Sequence, residues 1–198
     1  MNFLAHARLS FYEPPILVGN MISDFVKGKK QFDYPISIQK GIQLHRAIDN
    51  YTDTHDATQE AKAFFKPVYR LYAGAFIDVV YDHFLANDVT EFATKADLEL
   101  FATDSYDSLQ DNFAVLPQNF RQLLPYMISQ DWFTNYRSTK GLQQSFNGLV
   151  RRSKYLTESD QAFEIFTAEY AVLQSCYQAF YPDVKNFAAH HLQELLNS

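Results

Sequence analysis

His45 and Asp49 stand four residues apart in the stretch Gly41-Ile42-Gln43-Leu44-His45-Arg46-Ala47-Ile48-Asp49-Asn50-Tyr51-Thr52-Asp53. At about 3.6 residues per turn, Leu44, Ile48 and Tyr51 form one apolar stripe. His45 and Asp49 lie together along its edge, with Arg46 further round the helix. An imidazole and a carboxylate one turn apart, at the border of a buried face, suit a shared metal ion. The same spacing also describes a core histidine hydrogen-bonded to its neighbour, so the pair alone leaves both chemistries open.

A second cluster sharpens the question. Asp78 and Asp82 are four apart with His83 beside them, amid Phe76, Ile77, Val79, Val80, Tyr81, Phe84 and Leu85. Like charges at that spacing repel, and a buried unpaired carboxylate is expensive. No lysine or arginine occurs between Leu71 and Phe92, so the neutralising cation must come from elsewhere in the fold: an arginine of another helix, or a divalent metal. Asn20 and Asp24 form a third pair at the same spacing. Together the three pairs offer imidazole nitrogen and carboxylate oxygen, a donor set suited to Mn²⁺, Fe²⁺ or Zn²⁺, with Mg²⁺ also accepted. His6 is a further candidate, as a ligand, as a partner of a ligand, or in a structural role.

These residues need helices to position them. Six glycines and seven prolines punctuate 198 residues, and period-2 alternation is nearly absent. Helical spacing recurs instead and predicts a single all-α domain over residues 1–198, with roughly seven to nine helices. Pro14-Pro15 starts a helix expected to run from Ile16 to Lys27, with Gly28 ending it. The His45 helix is expected from about Ile38 to Asp53. A helix from Thr58 to Phe65 is expected to end at or be interrupted by Pro67. Tyr69 to Ala86, apolar almost all round, reads as the central buried helix. One or two helices are expected over residues 90–115, then one from Pro117 to Met127. Ser159 to Phe180 should stop at Tyr181-Pro182 before a last helix to about Leu196. Asp56 is read as a helix cap.

Composition excludes several classes. Apolar residues are 47% and charged residues 20%, an ordinary globular balance, and eighteen Phe with thirteen Tyr predict an aromatic core. A net charge of −6 argues against general nucleic-acid affinity. The longest apolar run is broken by Asp78 and Asp82 and is too short to span a membrane. Cys176 is the only cysteine, so neither an intramolecular disulfide nor a zinc–thiolate cluster can form, and Leu173, Tyr177 and Phe180 around it read as core. The opening residues lack the charged lead and apolar run of a secretion signal, so a reducing cytoplasm is expected. No phosphate-binding glycine loop, nucleophile elbow or His-Glu-x-x-His helix occurs. His190-His191 read as surface residues. Lys27, Lys29 and Lys30 form a basic knot, and Arg151-Arg152 a second one, either ordinary solvated charges or a docking patch for an anionic partner. Oligomeric state is left open.

The motifs resemble the acyl carrier protein phosphodiesterase family. The resemblance is carried by the opening Met-Asn-Phe-Leu-Ala-His, by Gly19-Asn20-Met21-Ile22-Ser23-Asp24-Phe25-Val26-Lys27-Gly28, by Gly41 to Asp49 with Thr52-Asp53-Thr54-His55, and by Asp78-Val79-Val80-Tyr81-Asp82-His83-Phe84-Leu85. It spans the chain but is specific in about the first 85 residues. It implies an all-helical, HD-hydrolase-like enzyme that removes 4′-phosphopantetheine from a serine of holo-acyl carrier protein, with manganese as cofactor. One departure is that the central pair reads Asp82-His83, the reverse of the HD order, while His55-Asp56 is the only literal His-Asp dipeptide.

Taken with the charge argument, the resemblance implies a ligand pool of Asp24, His45, Asp49, Asp78, Asp82 and His83, with His6 alongside. Arg46 is expected on the phosphodiester, and Lys27, Lys29, Lys30, Arg151 and Arg152 on the acidic carrier protein. Two other functions fit the same residues: a metal phosphohydrolase acting on a nucleotide or other small phosphodiester, and a non-catalytic binding module whose acidic clusters are structural ion pairs.

Overall fold

Helix starts follow local chemistry. Pro14 and Pro15 occupy the first turn of α2 (Pro14–Ile22), where a missing N–H costs nothing. The computed structural model describes residues 1–197, and among these eleven α-helices and no strand occur. A short α1 (Phe3–Arg8), not anticipated from the pattern, precedes α2. Then follow α3 (Ile36–Thr54), α4 (Asp56–Tyr69), α5 (Ala73–Ala86), α6 (Lys95–Asp111), α7 (Gln118–Ser129), α8 (Trp132–Asn135), α9 (Thr139–Arg152), α10 (Asp160–Ala168) and α11 (Tyr170–Asn197). Setting aside the short α1 and α8 leaves nine longer helices, the upper end of the expected range.

Several boundaries differ from expectation. α2 stops at Ile22 rather than Lys27, and Ser23–Phe25 form a 3-10 turn, so Asp24 leaves the face that carries Asn20. Gly28 has φ 58° and opens a second 3-10 segment, Gly28–Asp33, instead of ending α2. α4 runs through Pro67, which falls in its last turn. The cap of α4 is His55, whose Nδ1 accepts from the Ala57 N–H at 3.2 Å; Asp56 is the first helical residue. α5 begins at Ala73, after a 3-10 turn Arg70–Tyr72. One helix, α6, covers the 90–115 region, fixed by a reciprocal Thr94–Asp97 capping box.

The largest difference is α11, which passes straight through Pro182. An interior proline costs about 3 kcal/mol. Here Tyr177, Phe180, Tyr181, Val184, Ala188 and Leu192 make one continuous buried face on both sides of it, and that burial prevails.

α5 is the central helix, buried from Val79 to Ala86 and packed by α1, α4, α9 and α11. Phe65, Phe76, Phe120, Phe133, Phe146, Phe166 and Phe180 are all fully buried, so the core is aromatic as the composition predicts, and Cys176 is buried with it. No helix among the described residues is long and apolar enough to cross a membrane.

α2 and α3 make the tightest crossing, with Gly19 against Gly41. A Cβ on Gly19 would strike the Ile38 carbonyl oxygen, and one on Gly41 would strike that of Ile16. Both obstacles are backbone, so neither can step aside. Replacing Gly41 by Ala should therefore lower stability by about 3 kcal/mol, the upper end of overpacking costs. Equilibrium denaturation checks this; an unchanged midpoint would refute the crossing.

Candidate metal centre

The Gly19–Gly41 crossing brings Asn20, the next residue of α2, against His45 of α3. Asn20 is fully buried, and its side-chain N–H₂ donates to the His6 carbonyl at 2.9 Å and to Ser10 Oγ at 3.1 Å. Those two acceptors turn its Oδ1 toward two imidazoles. His6 Nδ1 lies 2.8 Å and His45 Nδ1 3.2 Å from that single oxygen. An amide oxygen only accepts, so both Nδ1 atoms carry hydrogen, and the Nε2 atoms face the other way. The rings stack with centroids 3.9 Å apart.

Both Nε2 atoms point at Asp49. His6 Nε2 is 3.1 Å from Oδ1, and His45 Nε2 is 3.1 Å from Oδ2. His45 Nε2 is also 3.3 Å from Asp24 Oδ1. It is buried and aligned with neither carboxylate for a hydrogen bond, so what holds it there is charge. Donor atoms of His6, His45 and Asp49 all lie within 4.8 Å of one another, the only such grouping of three among the described residues. The Asp24 side chain is 77% exposed and that of Asp49 39%, so the cluster has two buried imidazoles behind and an open carboxylate edge in front.

Burial and mutual repulsion forbid charging both stacked rings. Burial, helped by the neighbouring His45, lowers the pKa of His6 to about 4. Burial also opposes charge on His45, but the Asp24 and Asp49 carboxylates beside it prevail and raise its pKa to about 9. Asp49 is pushed up by burial yet ends well below the usual carboxylate range, because the Met1 ammonium, His6 and His45 all favour its charged form. That ammonium lies 3.3 Å from Asp49 and 3.2 Å from Asp78. Two oriented imidazole nitrogens, one of them buried without a hydrogen-bond partner, and a carboxylate fit a divalent metal of the Mn²⁺, Fe²⁺ or Zn²⁺ type.

The family model for acyl carrier protein phosphodiesterase matches residues 1–184. The chain belongs to that family. It is accordingly a hydrolase of the phosphodiesterase type. The acyl carrier protein phosphodiesterase of Klebsiella pneumoniae is 32% identical to it over 188 residues, covering 95% of this chain and 97% of the relative. Those of Yersinia pestis and Escherichia coli are each 30% identical over 190 residues, covering 96% of this chain and 98% of the relative. No solved structure matches the chain.

The remaining sequence candidates are placed elsewhere. Asp82, expected as a ligand, is fully buried with both oxygens engaged by α1, accepting from Leu4 N–H at 2.9 Å and Ala5 N–H at 3.1 Å. Burial raises its pKa to about 7 despite those two donors. Its work is to anchor the helix that carries His6. His83 is also outside the cluster, with Nδ1 donating to the Tyr136 carbonyl at 2.7 Å and aromatic rings of Phe84, Phe166 and Tyr170 around it. Asp78 reaches the centre only through the Met1 ammonium, which supplies the cation that α5 lacks.

Asn20, paired with Asp24 by spacing, orients the two imidazoles instead. No sequence period could reveal that, since its partners lie on two other helices. Arg46 donates to Gln31 Oε1 at 2.6 Å and the Val26 carbonyl at 3.1 Å, tying down the segment that bears Lys27, Lys29 and Lys30. His55, the one residue of a literal His-Asp dipeptide, faces Asp183 at 3.3 Å and takes no part. Arg151 and Arg152 line a cavity beside α1 and α8.

Removing a partner that fixes ligand orientation typically costs about 10–100-fold in metal affinity, so Asn20→Ala should weaken Mn²⁺ binding by that factor in calorimetry. Proton competition supplies a second expectation. His45 is charged in the metal-free protein below about pH 9 and must lose its proton to bind metal. Mn²⁺ affinity should therefore rise about tenfold per pH unit from pH 6.5 toward 9 and then level off. A pH-independent affinity would exclude His45 as a ligand.

Proposed function

We propose that this protein is a metal-dependent phosphodiesterase that hydrolyses the bond between 4′-phosphopantetheine and the serine of holo-acyl carrier protein, giving apo-carrier. The observation that carries the reading is the pair of imidazole Nε2 atoms turned by Asn20 onto one carboxylate, in a chain of this family. His6, His45 and Asp49 would hold a divalent ion, Mn²⁺ by preference, with Asp24 at the open edge. Such an ion, when bound, supplies Lewis acidity toward a phosphoryl oxygen and eases deprotonation of a water.

The chain's own residues do the rest. Asn20 keeps hydrogen on both Nδ1 atoms, so the Nε2 atoms are the ones that face the ion, His6 as it stands and His45 once its Nε2 proton is lost. Exposed Asp24 offers a carboxylate oxygen for the proton of an attacking water. Arg46 contacts only neutral oxygens, so its charge is unspent at the rim it shares with exposed Lys27, Lys29 and Lys30. A positive rim on a chain of net charge −6 steers an acidic carrier toward the centre. With its single cysteine buried in the core, a reducing cytoplasm is the compartment we assign.

Incubation of the Mn²⁺-loaded protein with holo-carrier should remove the arm, read as the loss of its mass from the carrier. Asp49→Asn and His45→Gln should each slow this by about two orders of magnitude or more. Neutralising Lys27, Lys29 and Lys30 together should raise KM for the carrier and flatten the salt dependence of the rate. Intact holo-carrier beside hydrolysis of a nucleotide or other small diester would move the assignment to a general metal phosphohydrolase. No metal binding at all would leave a non-catalytic module.

A further inference from the structure

The cavity beside α1, α8 and α9 has a volume of about 450 Å³, within the range of about 300–1,000 Å³ typical of small-molecule sites. Its chemistry is one-sided. Arg151, Arg152, Gln130, Gln144 and Asn2 contribute hydrogen-bonding side chains, Phe3 and Trp132 contribute ring faces, and no carboxylate lines it. Among the described residues neither guanidinium has a carboxylate within 4.0 Å. Two unneutralised arginines on an acidic protein are donors waiting for acceptor oxygens.

Position matters as much as composition. The α-amino group of Met1 is 3.3 Å from Asp49 of the metal centre, while the next two residues, Asn2 and Phe3, form the cavity wall. One residue step is about 3.8 Å, so centre and cavity are neighbours along the same strip of chain. Asn2 is held there by a 2.9 Å bond from its Nδ2 to Tyr136 Oη, and Phe3 packs on Trp132 with ring centroids 5.8 Å apart. The lysine rim lies on the Arg46 face of α3 and the cavity beside α1, so an elongated substrate can dock at one and extend into the other across the centre.

We infer that this cavity is the binding site for the pantetheine arm, recognising its amide carbonyls through Arg151, Arg152 and Gln144 and its methyl groups through Phe3 and Trp132; the inference rests on the phosphopantetheine reading above. Arg151 and Arg152 thereby become arm-binding residues rather than part of a diffuse carrier-steering patch. The amide and hydroxyl oxygens of the arm are acceptors that match the donors the protein leaves unpaired, and a wall without carboxylates lets the phosphate end approach without repulsion.

The test separates the arm from the carrier. Pantetheine, 4′-phosphopantetheine and inorganic phosphate are titrated into the Mn²⁺-loaded protein by calorimetry. Variants are the charge-removing double mutant Arg151→Gln/Arg152→Gln and the uncharged blocking mutant Gln144→Trp, all at exposed positions that spare the core. Each variant should weaken binding of both pantetheine compounds by about tenfold or more. Hydrolysis of holo-carrier should fall at least about tenfold further than hydrolysis of bis(p-nitrophenyl) phosphate, a diester with no arm. Absence of pantetheine binding, equal binding by wild type and variants, or full displacement by equimolar inorganic phosphate would overturn the arm site. If wild type leaves holo-carrier intact while pantetheine binding is still lost in both variants, the carrier reading fails and the cavity stands as an amide-recognising site.

Discussion

At Gly19 and Gly41 two helix backbones approach until a methyl group on either would collide with a carbonyl of the other. That contact sets the distance between α2 and α3, and the His6–His45–Asp49 cluster is built on it. Asn20 follows Gly19 and His45 follows Gly41 by one turn. Only at this separation can a side chain as short as asparagine place its oxygen on the imidazole of the facing helix. The same oxygen then reaches His6 on α1, so one amide orders ligands from two elements at once. Few buried side chains have so many obligations, and all of the Asn20 polar atoms are satisfied.

Charge completes what packing begins. Two imidazoles in face-to-face contact behind a carboxylate form an arrangement in which His45 is charged and His6 neutral when no metal is present. Asp24 and Asp49 hold that proton on His45. The open carboxylate edge and closed imidazole back give the cluster a direction, with its carboxylates toward solvent and its rings fixed behind them.

The acidic helix α5 serves this arrangement indirectly. Asp82 spends both oxygens on the first turn of α1, and Asp78 anchors the Met1 ammonium. Together they fasten the segment whose first residue touches Asp49, whose second and third line the neighbouring cavity, and whose sixth supplies an imidazole. A buried and a half-buried carboxylate with no cation on their own helix are thus a clamp for a distant strip of chain, as acceptors facing a helix N-terminus can be.

Local periodicity was enough to determine the helical class, the aromatic core and the one-turn pairing of His45 with Asp49, because neighbours at i and i+4 on a helix are set by backbone geometry alone. Spacing also named Asp24, and residue type named His6, and both lie beside His45 in the structure. Tertiary structure decided everything that depends on contacts between helices. The bonds from His6 and His45 to Asn20 span 14 and 25 residues, and the approach of His6 Nε2 to Asp49 spans 43. At those separations spacing carries no information, so Asn20 stood only as the spacing partner of Asp24, Asp82 and His83 looked like metal donors, and Pro182 looked like a helix stop. Burial overrode the proline through the apolar face on either side of it, and hydrogen-bond satisfaction took Asp82 and His83 to α1 and Tyr136. The chain's sequence specified which groups were available; only the packing of α1, α2 and α3 determined which of them share one point in space.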